Sequence, residues 1–352
     1  DGPLTGQSVS NMIYGLQGLS SDHPVVLKLV DELTRLLKTY KGPITGQAVG
    51  NMLLGLKRMK SDNDEVLALV VELTRLVKKY DGPLTGQSVS NMIYGLQGMS
   101  CDRPEVLLLI IQVTRLIKAY NGPLTDQDVS MMIYGLQGLS TDHSEVLDLI
   151  VQVTRLVKSY NGRINGQAVG NMFYGLQGMN CDCPEVVALF IELTRLIGNC
   201  EGSMSGQQVS NMLYGLQRFK SSHPTVQSCL LKLAPLVQSC SEQLSAHELA
   251  MSLIGLLKLF DPSDPHIVSI FRFLQSQYDK AICSNLTVDD AQTLTRSLCL
   301  FAHFQEKKGI SDEWMAEITA MKSRLDRFEQ FGLIDGAASD VHHNKIQNKP
   351  SS

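Results

Sequence analysis

The stretch that decides the fold is SNMIYGLQG at Ser10–Gly18. It stands again at Ser90–Gly98, and returns as SMMIYGLQG from Ser130, GNMFYGLQG from Gly170 and SNMLYGLQR from Ser210. Working outward, Gly-Pro-Leu/Ile-Thr opens a unit at Gly2, Gly42, Gly82 and Gly122, then weakens to Gly162-Arg163-Ile164-Asn165 and Gly202-Ser203-Met204-Ser205. The period is forty residues throughout, which is the mark of a repeat array. A seventh, degenerate unit from about Glu242 keeps Ile254-Gly255-Leu256 in the Tyr-Gly-Leu register. The reading therefore divides the chain into seven units over residues 1–281, a diverged capping repeat over 282–334 and a disordered tail over 335–352. Asp1-Gly2 opens in register with the repeat, so the chain reads as starting inside a longer one.

Each unit is punctuated as two helices. Thr5 is a good N-cap, and Leu4 and Val9 flank it as a hydrophobic staple. A first helix, helix A, is expected over 6–19, with Val9, Met12, Ile13, Leu16 and Leu19 on one stripe. A second, helix B, is expected over 23–40 with Val26, Leu29, Val30, Leu33, Leu37 and Tyr40 buried. Capping boxes are expected at its start in Asp102/Glu105, Asp142/Glu145 and Asp182/Glu185. Lys38 suits its C-terminal dipole, and Gly42-Pro43 ends it. Strand signals are absent. The fold class that follows is all-α: an α-solenoid of about eight stacked two-helix repeats.

Gly15 and its equivalents Gly55, Gly95, Gly135, Gly175, Gly215 and Gly255 stand inside a helical pattern, where glycine costs up to ~1 kcal/mol against alanine. Their recurrence implies that a neighbouring helix comes too close for a methyl group. The polar side of helix A carries three rows. Gln7, Gln47, Gln87, Gln127, Gln167 and Gln207 form one; Asn11, Asn51, Asn91, Asn171 and Asn211 form the next; Tyr14, Tyr94, Tyr134, Tyr174 and Tyr214 form the third. Uncharged amides beside aromatic rings suit single-stranded nucleic acid, since rings stack on bases and amides bond to base edges. The same rows read equally as structural glue, with asparagines tying unit to unit and tyrosines packed between layers. The positions that vary stand at Ser8 and its equivalents and in the pairs Gln17-Gly18, Lys57-Arg58 and Gln217-Arg218. Any code belongs there. On helix B, Arg35, Arg75, Arg115, Arg155 and Arg195 form a row that could follow a phosphate backbone. The alternative is local pairing, because Glu32, Glu72 and Glu192 stand three residues earlier.

Composition excludes several classes. No apolar run reaches the ~18 residues that span a bilayer, so no membrane insertion is expected. The net charge of −4 and pI near 6.1 give no global basic field of the kind that draws proteins to nucleic acid. Eight cysteines lack paired spacing and read as reduced intracellular thiols; Cys181-x-Cys183 has no second pair to complete a metal site. Phosphate loops, HExxH and nucleophile elbows are missing, and the histidines His23, His143 and His223 sit at helix starts. No enzyme, no cofactor and no metal are expected.

The string QSVSNMIYGLQGM at Gln87–Met99, followed by a second amphipathic helix, resembles the octotricopeptide and related forty-residue helical repeats of organellar RNA-binding proteins, whose first helix carries a similar LAN-x-LWAL. The likeness covers residues 2–281. It implies an α-solenoid that binds single-stranded RNA or ribosomal RNA in organellar RNA maturation, translation or ribosome assembly, in a mitochondrion or plastid. The chain departs from that family in having Tyr14 and its equivalents, or Leu54, where tryptophan is usual. It also departs in its acidic balance and in lacking a terminal nuclease-like domain after the repeats. A protein-binding scaffold, or a subunit of a large complex, is the alternative.

Overall fold

The computed structural model describes residues 4–283 and 286–325. The tail over 335–352 lies outside them. The described chain is built of helix pairs. The A helices are α1 (Gly6–Tyr14), α3 (Gly46–Leu54), α5 (Gly86–Tyr94), α7 (Asp126–Tyr134), α9 (Gly166–Tyr174), α11 (Gly206–Gly215), α13 (Ala246–Leu256) and α15 (Val288–Lys308). The B helices are α2 (Pro24–Thr39), α4 (Asp64–Lys79), α6 (Pro104–Ala119), α8 (Ser144–Ser159), α10 (Pro184–Ile197), α12 (Pro224–Gln238) and α14 (Pro265–Cys283), and helical backbone covers 312–325. A helices pack on A helices and B helices on B helices, so the solenoid has two layers with one continuous apolar core between them. Seven pairs follow the forty-residue period. In the eighth, α15 runs well past the length of the other A helices.

Caps set the phase of each A helix. Thr5, Thr45, Thr85, Thr125, Asn165, Ser205 and Ser245 each accept a hydrogen bond from the backbone N–H three residues on. With the phase fixed, Val9, Ile13 and Leu16 and their equivalents are fully buried. Met12 and Leu19, in the first unit described, are partly exposed, whereas Met52, Met92, Met132, Met172 and Met212, each packed on a preceding unit, are fully buried. Leu29 of that first unit is likewise exposed, while Leu69, Leu109, Leu149 and Leu189 are buried.

The A helix is shorter than the hydrophobic pattern implies. It stops at Tyr14 instead of residue 19, and the chain tightens into i→i+3 bonds, Leu16 N–H to Ile13 C=O and Gln17 N–H to Tyr14 C=O. Gly18, Gly98 and Gly138 then close the turn in the left-handed region, at φ 93°, 81° and 82°. Apolar periodicity continues through the turn because Leu16 still points into the core.

Two other expectations are corrected. The capping boxes expected at Asp102, Asp142 and Asp182 are not formed: the B helices start one residue later, at Arg103, His143 and Cys183, with no side-chain cap. Asp102 and Asp142 instead accept from Ser100 and Ser140 within the loop. Complete capping boxes occur at A-helix starts, in Thr125/Asp128, Ser205/Gln208 and Ser245/Glu248. One strand pair also exists: β1 (Ile164–Asn165) lies parallel to β2 (Cys200–Glu201). It arises where Gly198 ends α10 early and leaves the following loop extended beside the previous one.

The recurring glycine behaves as the sequence implies. A Cβ on Gly55, Gly95, Gly135, Gly175, Gly215 or Gly255 would lie 1.9–2.5 Å from a backbone carbonyl oxygen of the preceding A helix, that of Ile13, Leu53, Ile93, Ile133, Phe173 or Leu213. Backbone meets backbone there.

Candidate functional site

The outward side of the A layer carries the three polar rows. All six glutamines, from Gln7 to Gln207, are exposed. Asn11 is exposed, Asn51, Asn171 and Asn211 are half-buried, and Asn91 is buried. Among the described residues none of these five asparagine amides makes a hydrogen bond. The reading in which asparagines tie unit to unit is therefore not what the structure shows. The neighbouring A helix has its own backbone bonds made and leaves these amides nothing to hold. In the first two units Asn11 and Asn51 open on a 280 Å³ cleft between α1 and α3, shared with Gln7 and Gln47. In the fourth unit Met131 replaces the asparagine and takes a weak bond from Gln127 at 3.8 Å.

The tyrosines are neither free platforms nor core. Tyr14 is exposed, and Tyr94, Tyr134, Tyr174 and Tyr214 are half-buried. Their rings lie against one another at centroid distances of 5.5, 5.5 and 5.8 Å; the last two contacts are stacked and the first is edge-to-face. Tyr134, Tyr174 and Tyr214 therefore stack on one another instead of standing as separate platforms for bases, while Tyr14 lies outside the ladder. Edges and hydroxyls remain for a ligand. Burial raises the proton affinity of the Tyr134 and Tyr174 phenols, so both stay neutral donors at physiological pH.

The variable pairs lie beside this ladder on the A-to-B turns. Lys57 donates to the Tyr94 hydroxyl at 2.6 Å and sits 4.4 Å from that ring's centroid, closing the open end of the ladder. Gln97 donates to Gln137 at 2.6 Å, and Gln217 to the Gln177 carbonyl at 3.3 Å. Arg218 donates to the Gly178 carbonyl at 3.0 Å and stays exposed. Arg58 holds φ 71°, the left-handed conformation that Gly18, Gly98 and Gly138 adopt at the same place. With Gln97, Gly98, Gln137 and Gly138 it lines a groove of 570 Å³ along the turns. Strain carried by a non-glycine residue in a groove is an indicator of function.

The arginine row of helix B is corrected. Arg75 donates to the Leu37 carbonyl at 2.7 Å and pairs with Glu72. Arg115 donates to the carbonyls of Val77 and Tyr80 at 2.9 and 3.0 Å, Arg155 to those of Ile117 and Tyr120 at 2.8 and 3.0 Å, and Arg195 to those of Val157 and Tyr160, both at 3.0 Å. Each guanidinium caps the C-terminal carbonyls of the preceding B helix. Arg35, in the first unit described, pairs with Asp31 and Glu32. The row is an inter-unit staple, so it offers no track for phosphates.

Periodicity alone could have revealed one further row. Val71, Ile111, Val151, Ile191 and Leu231 occupy the same place in five B helices and are 40–55% exposed. They form an apolar line on the outer side of the other layer. Burial pushes the Cys181 thiol up to about 11 and Cys229 up to about 12, so neither is a nucleophile at neutral pH. Among the described residues no group of three His, Cys, Asp or Glu could hold a metal ion, and no helix is long and apolar enough to cross a membrane.

Comparison with known proteins adds little to this geometry. No family model matches the chain, and no curated protein matches it. Among solved structures, a cryo-EM structure of a de novo designed 16-helix transmembrane nanopore is 12% identical, with a TM-score of 0.11, over 97% of this chain and 94% of that one. Similarity at that level carries no argument about fold or function.

Proposed function

We propose that this protein is a non-enzymatic helical-repeat protein whose A layer binds single-stranded RNA. One observation carries the reading: asparagine amides recur along the layer with no hydrogen-bond partner among the described residues, beside exposed glutamines and a tyrosine edge. An amide offers two donors and two acceptor sites, enough to bond a base edge or a ribose hydroxyl. The rows are nearly identical from unit to unit, which suits strand binding with weak base preference. Sequence preference belongs to the variable turn positions Lys57, Arg58 and Arg218. The resemblance to octotricopeptide-like repeats supports the same reading and adds an organellar role in RNA maturation, translation or ribosome assembly.

The test replaces Asn51, Asn171 and Asn211 together by alanine. No internal hydrogen bond is lost, so thermal stability should stay within ~0.5 kcal/mol per site. Affinity for single-stranded RNA should fall by about 0.5–1.5 kcal/mol per amide. Unchanged affinity, or a collapse of stability, defeats the reading. A protein-binding scaffold is the second reading, favoured by the apolar line from Val71 to Leu231. Under it, the intact chain shows no salt-sensitive RNA affinity.

A further inference from the structure

Besides Arg58 in the turn groove, a group of lysines lies away from the arginine row, gathered at one end of the turn edge. Lys220 follows α11, Lys258 follows α13, and Lys307 and Lys308 end α15; with Phe304 they line a single concavity of 380 Å³. Among the described residues none of the four lysines forms an ion pair at its ammonium. The ammonium of Lys308 is held by the Phe260 carbonyl. The charge of Asp261 acts on it, and one oxygen of that carboxylate accepts from the backbone N–H and hydroxyl of Ser263 at 3.0 and 2.7 Å.

The sequence around the pocket changes in step. Earlier units carry Asp22, Asp62, Asp102, Asp142 and Asp182 at one place in the loop, and the next two carry Ser222 and Pro262. The sixth-unit loop that carries Lys220 therefore holds no acid, while the seventh keeps Asp261 and Asp264 on either side of Pro262. The pocket also continues the turn groove, because Arg218, two residues before Lys220, rests on Gly178 at the groove's last unit. Four ammonium groups around one concavity repel each other, and burial makes the Lys308 ammonium harder to keep charged. An anion relieves both. The apolar wall, Phe304, is half-buried and suited to lie against a base.

We propose that this pocket is an anchoring site for a single-stranded nucleic acid, with Lys220, Lys258, Lys307 and Lys308 on consecutive phosphates and Phe304 against one base. The inference rests on the RNA reading and adds to it where the phosphates go and at which end of the array the strand is held. A phosphate on a lysine releases condensed counterions, so each contact contributes to the salt dependence of binding.

The experiment uses the full chain and a fluorescent oligouridylate of about twenty nucleotides, titrated at several salt concentrations. Lys258→Ala with Lys307→Ala should weaken binding roughly tenfold near 0.1 M salt and lower the slope of log K against log salt by about 1.4. Both side chains are exposed, and an unaltered circular dichroism spectrum checks the fold. Phe304→Ala should weaken binding with the slope unchanged. Inorganic tripolyphosphate at equal phosphate should compete poorly. If wild type binds, the Asn51, Asn171 and Asn211 triple variant loses affinity, and the lysine variant matches wild type in affinity and slope, the anchoring site is wrong while the RNA reading stands. If tripolyphosphate competes equally and Phe304→Ala is silent, the pocket is a plain anion site and the nucleic-acid assignment falls. If wild type shows no salt-sensitive binding, both fall together.

Discussion

Replacing Gly95 by alanine adds one methyl group at the tightest point between two A helices. The new carbon would lie 1.9 Å from the Leu53 carbonyl oxygen, 2.3 Å from its carbon and 2.8 Å from the Leu54 nitrogen. An ordinary contact needs about 3.5 Å, so α3 and α5 must separate by roughly 1.5 Å. Nothing nearby can rotate aside, because the obstacle is helix backbone. Separation by that amount forfeits more than half of the dispersion between the facing side chains, among them Leu53, Met92, Ile93 and Leu96, all fully buried. The cost belongs at the upper end of the overpacking range, about 3 kcal/mol. Against it stands a gain of about 0.4–1 kcal/mol from reduced freedom of the unfolded chain. The net expectation is a loss of about 2 kcal/mol or more. Gly178→Ala is the control: it has open space around it and no left-handed backbone, so it should be neutral or slightly stabilising. Urea unfolding followed by circular dichroism compares the two. Hydrogen exchange should localise the damage to α3 and α5 and spare α11 and α13, since units in an array interact only with neighbours. A Gly95→Ala midpoint equal to that of Gly178→Ala would refute the close-approach argument.

Two predictions concern the cations. Arg115→Met should cost about 1.5–3 kcal/mol in unfolding experiments, because it strips charged hydrogen bonds from the carbonyls of Val77 and Tyr80, while the salt slope of RNA binding stays as in wild type. Arg58→Gly should raise the melting temperature, by releasing a left-handed backbone that costs about 1–2 kcal/mol in a non-glycine residue, and should weaken RNA binding measured by fluorescence anisotropy. A variant that is less stable, or that binds as well as wild type, counts against a functional Arg58.

Much of the fold was legible because one unit explains the next. The forty-residue register, the Thr5 cap and the Gly95-type contact all follow from patterns that recur. What escaped were features that depend on the neighbouring unit's position in space. The stop at Tyr14 is one: apolar spacing is preserved through an i→i+3 turn, so periodicity runs on past the helix end. The arginine staple is another. Glu72 next to Arg75 is visible in sequence, but the Leu37 carbonyl that takes its guanidinium comes from the previous unit. At the polar face the residues were legible and their use was not. Asparagine in a helix reads the same whether its amide is bonded or bare, and tyrosine every forty residues does not announce that each ring covers the next. The lysine pocket was missed because its members come from three units of which the last has lost the motif.

The corrected roles sharpen what unit-to-unit identity means here. Gly95 and its equivalents, the Thr5-type caps and the Arg115-type staple all act on backbone groups of their own or the neighbouring unit. Their recurrence needs nothing beyond stacking. The asparagines recur in five units, yet among the described residues their amides contribute no hydrogen bond to the array, and an asparagine inside a helix is a poorer choice than leucine or lysine. Under the proposed function these amides, which cost the helix stability, serve a strand outside the chain. The tyrosine ladder sits between these cases: its rings support one another along the solenoid while their edges stay at the surface beside the bare amides. That pairing makes the A layer a rigid polar track, pre-ordered before any strand arrives, and pre-ordering reduces the entropy lost on binding. On the RNA reading such a track needs charge at few points, where Arg58 and the Lys220–Lys308 cluster stand, and a chain of net charge −4 would hold a polyanion without a basic field of its own.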